Sequence, residues 1–432
     1  SKFIMSYIRT FICFIFSLWS ICLSAEDYEI QKYLSDNSYY IFNNNIHTVN
    51  LSKYSDWSQP IIELNSSDVI TCSFDDFDAI GKDYRYTFIH CDPSWRQSTG
   101  IIQSDYMTGY YTEEYIRDYS QSFNTLRDYT HYSFTFPNEN INIGLSGNYA
   151  LFVYEDDISS PAFIARFYVI DKKVSVPIKV DFSKNPAHIS EYQRVSFSLE
   201  CGSYLIREPY RSVTIVIQQN NKPYSEQIAT EPKYITGSSY IYDFDDKFEF
   251  RGNNEFRNFD IRTLKYLTQY ISQIDVRNSE YYVITHDISS WLGKAYQSFA
   301  DNDGQYILSV RDGDVATEGE YAFVNLRVKS SFPMANEELY VCGEFNGWQF
   351  NEENKMSYNY ETGEYQANLY LKQGYYNYCY VYKNAETQRI DEGFIDGSFV
   401  ETQNRYSIMV YYQPTGERYC QLIGYGLINS TI

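Results

Sequence analysis

Three consecutive residues, His90, Cys91 and Asp92, have the side-chain types of a nucleophilic catalytic site. A Cys nucleophile needs a His base within hydrogen-bond reach. His90 and Cys91 fall in a predicted strand, where neighbouring side chains point to opposite faces, so they cannot bond each other. His131 could serve only if the fold brought it close. We therefore interpret Cys91 as a core residue and His90 as a strand-end residue, and we predict no catalytic site.

Two acidic clusters, Asp75-Asp76-Phe77-Asp78 and Asp301-Asn302-Asp303-Gly304, raise the question of a calcium site. A calcium loop places oxygen ligands at alternating positions over about twelve residues. Gln305 and Tyr306 break that pattern after Asp303, so we interpret both clusters as solvated turns. The sequence also lacks the HExxH, P-loop, GxSxG and dinucleotide motifs. We predict neither a metal nor a cofactor, and we see the chain as a binding protein.

Residues 342–348 (CGEFNGW) resemble the G-x-F-N-x-W segment of glycogen- and starch-binding immunoglobulin-like modules. In those modules the Trp stacks on a sugar ring, and a second Trp and a Lys complete the platform. Here the return strand, 378–382, lacks the Lys, and Asn384-Ala385-Glu386 replaces the second Trp. The resemblance implies the fold more than the sugar site. A carbohydrate-binding accessory protein of the cell envelope, using Trp348, is the alternative function.

Composition narrows the class of protein. The chain has 432 residues, which is more than one ordinary core accommodates and favours two to four domains. It contains 47 Tyr and 28 Phe, which favour strands, although a codon bias towards Tyr would have the same effect. The net charge of -21 argues against nucleic acid and anionic lipid as partners, because both attract Lys and Arg.

The N-terminal segment predicts export. Lys2 and Arg9 flank an apolar run, 11–23, that is short for a bilayer span, and Ser24-Ala25 follow it. We interpret 1–25 as a signal peptide and expect a soluble periplasmic protein at the inner side of the outer membrane. Trp19 and Ile21 argue against lipidation of Cys22.

Six cysteines follow the predicted cleavage site, without a CxxC pair. An exported chain can form disulfides, because its compartment is oxidising. We favour buried free thiols in a chain of this size. The six are Cys72, Cys91, Cys201, Cys342, Cys379 and Cys420.

Short predicted strands divide the mature chain into three consecutive immunoglobulin-like β-sandwich modules, 26–173, 174–320 and 321–432. We predict strands in the first at 61–64, 69–74, 84–90, 132–136, 149–154 and 163–170, and 112–124 has both helical and extended features. We predict strands in the second at 195–199, 213–218, 240–250, 263–270, 272–276, 281–284 and 306–310. In the third, we predict strands at 324–328, 339–341, 365–371 and 375–382. The fold class is all-β, with no linker between modules.

Blocks spread over the chain resemble the plug protein of the bacterial type IX secretion system. They are residues 90–92 with Trp95, 105–106, 119–125, 131–138, 145–149, 252–262, 392–393, 401–404, 411–414 and 422–425. The resemblance implies a non-enzymatic periplasmic protein whose partner is the large outer-membrane translocon barrel. Family members occlude its periplasmic mouth when cargo and the lipoprotein shuttle are absent. Which residues contact the barrel stays open.

Overall fold

The computed structural model of the chain describes residues 30–53, 59–286, 289–330, 333–334 and 336–431. The predicted signal peptide lies outside these ranges. Strands dominate, and helical turns are short: α1 (Gln103–Tyr106), α2 (Pro209–Ser212), α3 (Val315–Glu318) and α4 (Gly393–Asp396). Single 3-10 turns occur at Pro223–Ser225 and Glu344–Asn346. The all-β class is therefore confirmed, while the immunoglobulin-like character of the modules stays a prediction.

The first module has two sheets. One has the order β1-β10-β9-β5-β6, with β3 parallel to β10, and the other has the order β2-β4-β8-β7. The strands are β1 (Tyr39–Ile41), β2 (Ile46–Ser52), β3 (Ile61–Glu63), β4 (Ile70–Asp76), β5 (Tyr84–Cys91), β6 (Glu113–Tyr115), β7 (Tyr119–Gln121), β8 (Thr130–Phe136), β9 (Gly147–Glu155) and β10 (Pro161–Ile170). The ambiguous segment 112–124 thus forms the edge strands β6 and β7.

Alternation explains which faces the strands of this module bury. In β8, Tyr132, Phe134 and Phe136 are buried, whereas Ser133 is half-buried and Thr135 is exposed. Nearly every residue of β10 is buried, which is the pattern of a strand covered on both faces. Inward side chains of both sheets form one core, which includes Phe74 and Tyr149.

The second module also has two sheets, and the chain returns to complete it. One sheet has the order β11-β12-β16-β15, with β17 on β12, and the other has the order β14-β13-β28-β29. The strands are β11 (Ile178–Phe182), β12 (Tyr192–Glu200), β13 (Val213–Gln219), β14 (Gln227–Ala229), β15 (Tyr234–Thr236), β16 (Ser239–Tyr242), β17 (Glu249–Arg251), β28 (Arg405–Tyr412) and β29 (Gln421–Asn429). One core, with Val195, Ile215 and Ile408, joins them.

The third module is built from the intervening residues. In one sheet β26 pairs with β18, β21, β23 and β27, and the other has the order β19-β20-β22-β25-β24. The strands are β18 (Arg257–Asp260), β19 (Ile271–Arg277), β20 (Glu280–Thr285), β21 (Tyr306–Leu308), β22 (Tyr321–Lys329), β23 (Glu337–Cys342), β24 (Ser357–Asn359), β25 (Glu364–Lys372), β26 (Gly374–Asn384) and β27 (Ile390–Asp391). Their core includes Phe259, Leu326 and Tyr378.

The sheets correct two parts of the sequence-based division. The predicted modules 174–320 and 321–432 follow each other in sequence, whereas β28 pairs with β13 and β18 pairs with β26. The last two strands therefore belong with the second module, and 257–308 belongs with the third, because burial of β28 requires the facing sheet of the second module. The strand predicted at 263–270 is absent, and 240–250 is two strands, β16 and β17, with a break between them.

Candidate functional site: the junctions between the modules

The first and second modules meet through the outer faces of two sheets. Side chains from β5, β9 and β10 pack against side chains from β13, β28 and β29, and this contact forms a separate apolar cluster. Trp95 lies in it and is 2% exposed. Beside it, Arg166 Nη1 lies 2.8 Å from Glu226 Oε1, and the guanidinium carbon lies 4.4 Å from the Trp95 ring centroid. The junction is thus apolar with one buried ion pair.

The second and third modules meet around another buried ion pair. Lys222 Nζ lies 2.5 Å from Glu392 Oε2, and the side chains are 1% and 9% exposed. The Tyr224 hydroxyl donates to the other oxygen of Glu392 at 3.1 Å. A second pair, Arg405 and Asp303, joins the same modules at 2.9 Å.

The first and third modules meet at the most deeply buried ion pair. Lys372 Nζ lies 2.6 Å from Asp75 Oδ2, and the two side chains are 2% and 1% exposed. The Tyr321 hydroxyl donates to the same oxygen at 2.7 Å, and His131 Nδ1 lies 2.6 Å from Oδ1. Lys372 Nζ also lies 4.1 Å from the ring centroid of Tyr129. Five side chains from two modules therefore satisfy one another's charges and hydrogen bonds.

Burial and the neighbouring charges have opposite effects on the pKa of Asp75. Burial alone would raise the pKa of Asp75, but Lys372 and His131 outweigh it and hold that pKa below its usual value. The carboxylate therefore stays ionised inside the protein. Each of the three junctions contains an ion pair beside apolar or aromatic side chains, and separation of any two modules would be costly because it would expose that apolar surface to water.

These acidic residues correct the interpretation of the first cluster as a solvated turn. Asp75 and Asp76 are buried residues of β4. Asp76 accepts a hydrogen bond from the Tyr84 hydroxyl at 2.9 Å and lies 3.0 Å from Lys82 Nζ. The partners of Asp75 come from distant parts of the chain, whereas those of Asp76 lie just before and at the start of β5, and together they allow two adjacent aspartates to lie inside a strand.

The second cluster forms a turn, but one packed between modules and not solvated. Asp301 accepts hydrogen bonds from the backbone N–H groups of Phe256 and Asp303, and burial raises the pKa of Asp301 to about 7. Gly304 follows with φ +83°, a conformation that suits glycine. Within the described ranges, no group of three or more His, Cys, Asp or Glu side chains is arranged to hold a metal ion.

His90 and Cys91 lie on opposite faces of β5. His90 is 1% exposed, its Nδ1 lies 2.7 Å from Ser98 Oγ, and burial lowers the pKa of His90 to about 4. Cys91 belongs instead to the cluster between the first and second modules. His131 contacts Asp75, and so the three residues do not converge.

Trp348 is 0% exposed, so it cannot stack on a sugar. Phe256 and Tyr224 pack near it, with ring centroids 6.0 and 6.3 Å away, and its Nε1 donates to Glu344 Oε2 at 2.8 Å. A Cβ added at Gly304 would lie 2.5 Å from the Trp348 ring. The Trp of the sugar-binding motif here closes the junction of the second and third modules.

All six cysteines in the described ranges are free thiols. Five are buried and Cys379 is half-buried. Cys342 and Cys379 are cross-strand neighbours without a bond between them. No helix in the described part of the chain is both long and apolar enough to cross a membrane.

Sequence reasoning missed the junction cations Arg166, Lys222 and Lys372. Arg166 had a signal, because it is the one charged residue in the apolar run PAFIARFYVI of β10. Lys372 ends the alternating strand β25, where a polar residue is ordinary. Lys222 lies in a turn next to Pro223, and turns are usually solvated.

Comparison with known proteins gives a family match for the first module and a similar fold for most of the chain. Residues 46–171 match the family model described as "Type 9 secretion system plug protein 1st domain". A hypothetical protein from Parabacteroides merdae ATCC 43184, with a crystal structure at 2.30 Å resolution, is 28% identical with a TM-score of 0.87. That similarity covers 91% of this chain and 100% of the other. No curated protein matches the chain.

Two other solved structures have lower similarity. The C-terminal domain of the antigen I/II-family protein AspA from Streptococcus pyogenes is 8% identical with a TM-score of 0.16, over 90% of this chain and 100% of that one. Trypsin-activated alpha-2-macroglobulin from Escherichia coli is 10% identical with a TM-score of 0.18, over 88% of this chain and 24% of that one. Scores this low carry no argument about fold or function.

Proposed function

We propose that the chain is a non-enzymatic periplasmic plug, because residues 46–171 match the family model of the type IX secretion system plug protein first domain, which confirms the resemblance found in the sequence. Its partner in this proposal is the outer-membrane translocon barrel of that system. The plug would bind the periplasmic mouth of the barrel and close it.

The observation that carries the proposal is the set of three ion pairs, one at each junction between modules, each with a buried cation. A channel wide enough for folded cargo needs a rigid obstacle to close it. Modules that moved independently would leave gaps. Apolar contact and buried charge at all three junctions make the three modules one body, which suits a closing element.

Exposed aromatic residues next to the edge strands of the first module suit contact with a protein partner. Tyr110, Tyr111 and Phe123 are 83%, 60% and 63% exposed, and flank the edge strands β6 and β7. Aromatic residues are enriched in protein interfaces. Charge contacts between exposed groups are screened beyond about 8 Å at physiological salt, so a lasting seal should rest on apolar, shape-matched contact.

Deletion of the gene tests the proposal. Without the plug, the outer membrane should admit vancomycin, a solute that it normally excludes. The leak should disappear in cells that also lack the translocon barrel, because the barrel is the opening. Complementation with the intact chain controls for other effects of the deletion.

Co-purification tests the contact itself. The barrel should be recovered with the tagged chain from detergent extracts and should remain after a high-salt wash. A triple variant, Tyr110→Ser, Tyr111→Ser and Phe123→Ser, should recover much less barrel. Tyr360→Ser, in the third module and 80% exposed, is the matched control and should recover as much as the original chain. Absence of both the leak and the barrel would contradict the plug function.

The alternative, carbohydrate binding through Trp348, has lost its structural basis, because that side chain is buried. A glycan pull-down separates the two functions directly. A plug should show no specific affinity for sugars.

A further inference from the structure

A cavity lies where the three modules meet. Its volume is about 340 Å³, within the range of small-molecule sites. Tyr39 and Arg166 line it from the first module, Gln218 and Asn221 from the second, and Glu344 from the third. Glu344 belongs to the motif 342–348 that resembles sugar-binding modules, but Trp348 of that motif is buried and does not line the cavity, and closing a channel does not require the cavity.

Glu344 is a carboxylate without a counter-ion. Its Oε2 accepts from Trp348 Nε1 at 2.8 Å, and no basic side chain in the described ranges forms an ion pair with it. Arg166 is the charge that acts on it, but the guanidinium is already bound to Glu226 and to the carbonyl oxygens of Leu34 and Ser35. Burial raises the pKa of Glu344 to about 7, against the lowering effects of Trp348 and Arg166.

Amide oxygens in the same cavity also lack donors. Gln59 is 6% exposed, lines the cavity, and donates through Nε2 to Gln218 Oε1 at 2.5 Å. Its own Oε1 has no hydrogen-bond partner among the described residues, and neither has the buried Oδ1 of Asn221. Buried polar atoms are normally satisfied, so two orphaned acceptors on residues that line the same cavity as an unpaired carboxylate indicate a missing donor.

We propose that this cavity binds a primary ammonium group. An ammonium has one positive charge and three N–H donors and no acceptor, which complements a carboxylate and two amide oxygens. The rings of Tyr39 and Tyr306, which also line the cavity, can cover its alkyl chain. The ammonium can belong to a small alkylamine or to a lysine side chain of a partner protein.

Thermal unfolding of the purified full chain tests the chemistry of the site. Propylammonium chloride should raise the melting temperature by about 2 °C or more, because the cation binds only the folded state. Tetramethylammonium chloride at equal ionic strength carries the charge without N–H donors and should give no rise. Equal effects of the two salts, or no effect of propylammonium, would overturn the proposal.

A variant places the effect at Glu344. Glu344→Gln keeps an acceptor for Trp348 but removes the charge, and it should abolish the rise. Glu361→Gln removes an exposed carboxylate elsewhere in the third module and should leave the rise intact. A full response in Glu344→Gln would contradict the assignment. If that variant does not fold, the comparison of the two salts on the original chain still decides.

Carbodiimide coupling in native envelopes distinguishes the two sources. A peptide containing Glu344 joined to a lysine of another protein identifies a partner lysine. A Glu344 peptide that carries the mass of a small amine joined through an amide, with no protein attached, identifies a small amine. Because the thermal test uses the isolated chain, its result does not depend on whether the chain closes a channel.

Discussion

Replacing Lys372 with Met should strongly destabilise the protein at the junction of the first and third modules. Lys372 and Asp75 are 2% and 1% exposed, and their charged atoms lie 2.6 Å apart. Methionine nearly keeps the volume of the side chain, so little cavity results. What remains is a buried carboxylate without its cation, which typically costs about 3–5 kcal/mol.

The local contacts place the expected loss near the lower end of that range. Asp75 keeps the hydrogen bond from Tyr321 and the contact with His131. We therefore expect a loss of about 3 kcal/mol in the free energy of unfolding at pH 7.5, from urea titration followed by tryptophan fluorescence.

The pH dependence gives a second test. In the original chain the pKa of Asp75 is lowered, so its contribution to stability is present above the unfolded pKa and is lost as pH falls through the folded one. Without Lys372 the raising effect of burial has less opposition. The deficit of Lys372→Met should thus shrink as the pH falls, because a protonated Asp75 needs no cation.

Two further variants make the reasoning refutable. The double variant Asp75→Asn with Lys372→Met should recover most of the lost stability, because it removes both charges. Lys179→Met is the matched control, because Lys179 is 73% exposed and its ion pair with Asp181 should contribute under about 1 kcal/mol. A loss below about 1 kcal/mol in Lys372→Met, or no recovery in the double variant, would refute the role given to this pair.

Three other outcomes follow from burial. Tyr149→Ala should cost about 3–5 kcal/mol in a urea titration, because Tyr149 is 0% exposed in the core of the first module; a near-neutral result would contradict that. Asp301→Asn should remove a loss of stability as pH rises from about 4 to about 7, because the folded pKa of Asp301 is raised; calorimetry at several pH values checks this. Trp348→Ala should lower the melting temperature, and neither the original chain nor the variant should be retained on a glycogen resin.

Local patterns in the sequence were enough for many strands. The alternation of Tyr365, Ala367 and Leu369 with polar neighbours predicted β25, and β8 was equally clear. In such strands one face is buried and the other meets solvent, so the alternation of apolar and polar residues within a single segment is enough to predict the strand.

Pairing between distant segments of the chain gives no such local signal in the sequence. Residues of β28 are buried on both faces, so the strand fits any two-sided sheet, and its pairing with β13 cannot be read from either segment. The burial of Asp75 depends on Lys372, which lies 297 residues away in the sequence. Two adjacent aspartates therefore look like a solvated turn until the fold brings that cation to them.

The contacts of the junction residues could not be predicted from the sequence for the same reason. The residues around Trp348 were correctly recognised as a motif, but a motif does not say what covers it. Tyr224 comes from a different module, and Gly304 from a loop earlier in the chain. Comparison of the motif alone therefore favoured a solvent-exposed Trp348 ring, whereas the packing of two modules buries it.

The return of β28 to β13 has a consequence for synthesis. A ribosome makes the chain from its N-terminus, and roughly 200 residues separate Val213 from its partner Tyr412. At about 5–20 residues per second, β13 waits about 10–40 s before its neighbour exists. During that time an apolar strand edge is unpaired, while the third module can already fold. A nascent chain stopped between residues 261 and 404 would therefore leave two modules unfinished, and protection of β13 by a chaperone should matter more than protection of the later strands.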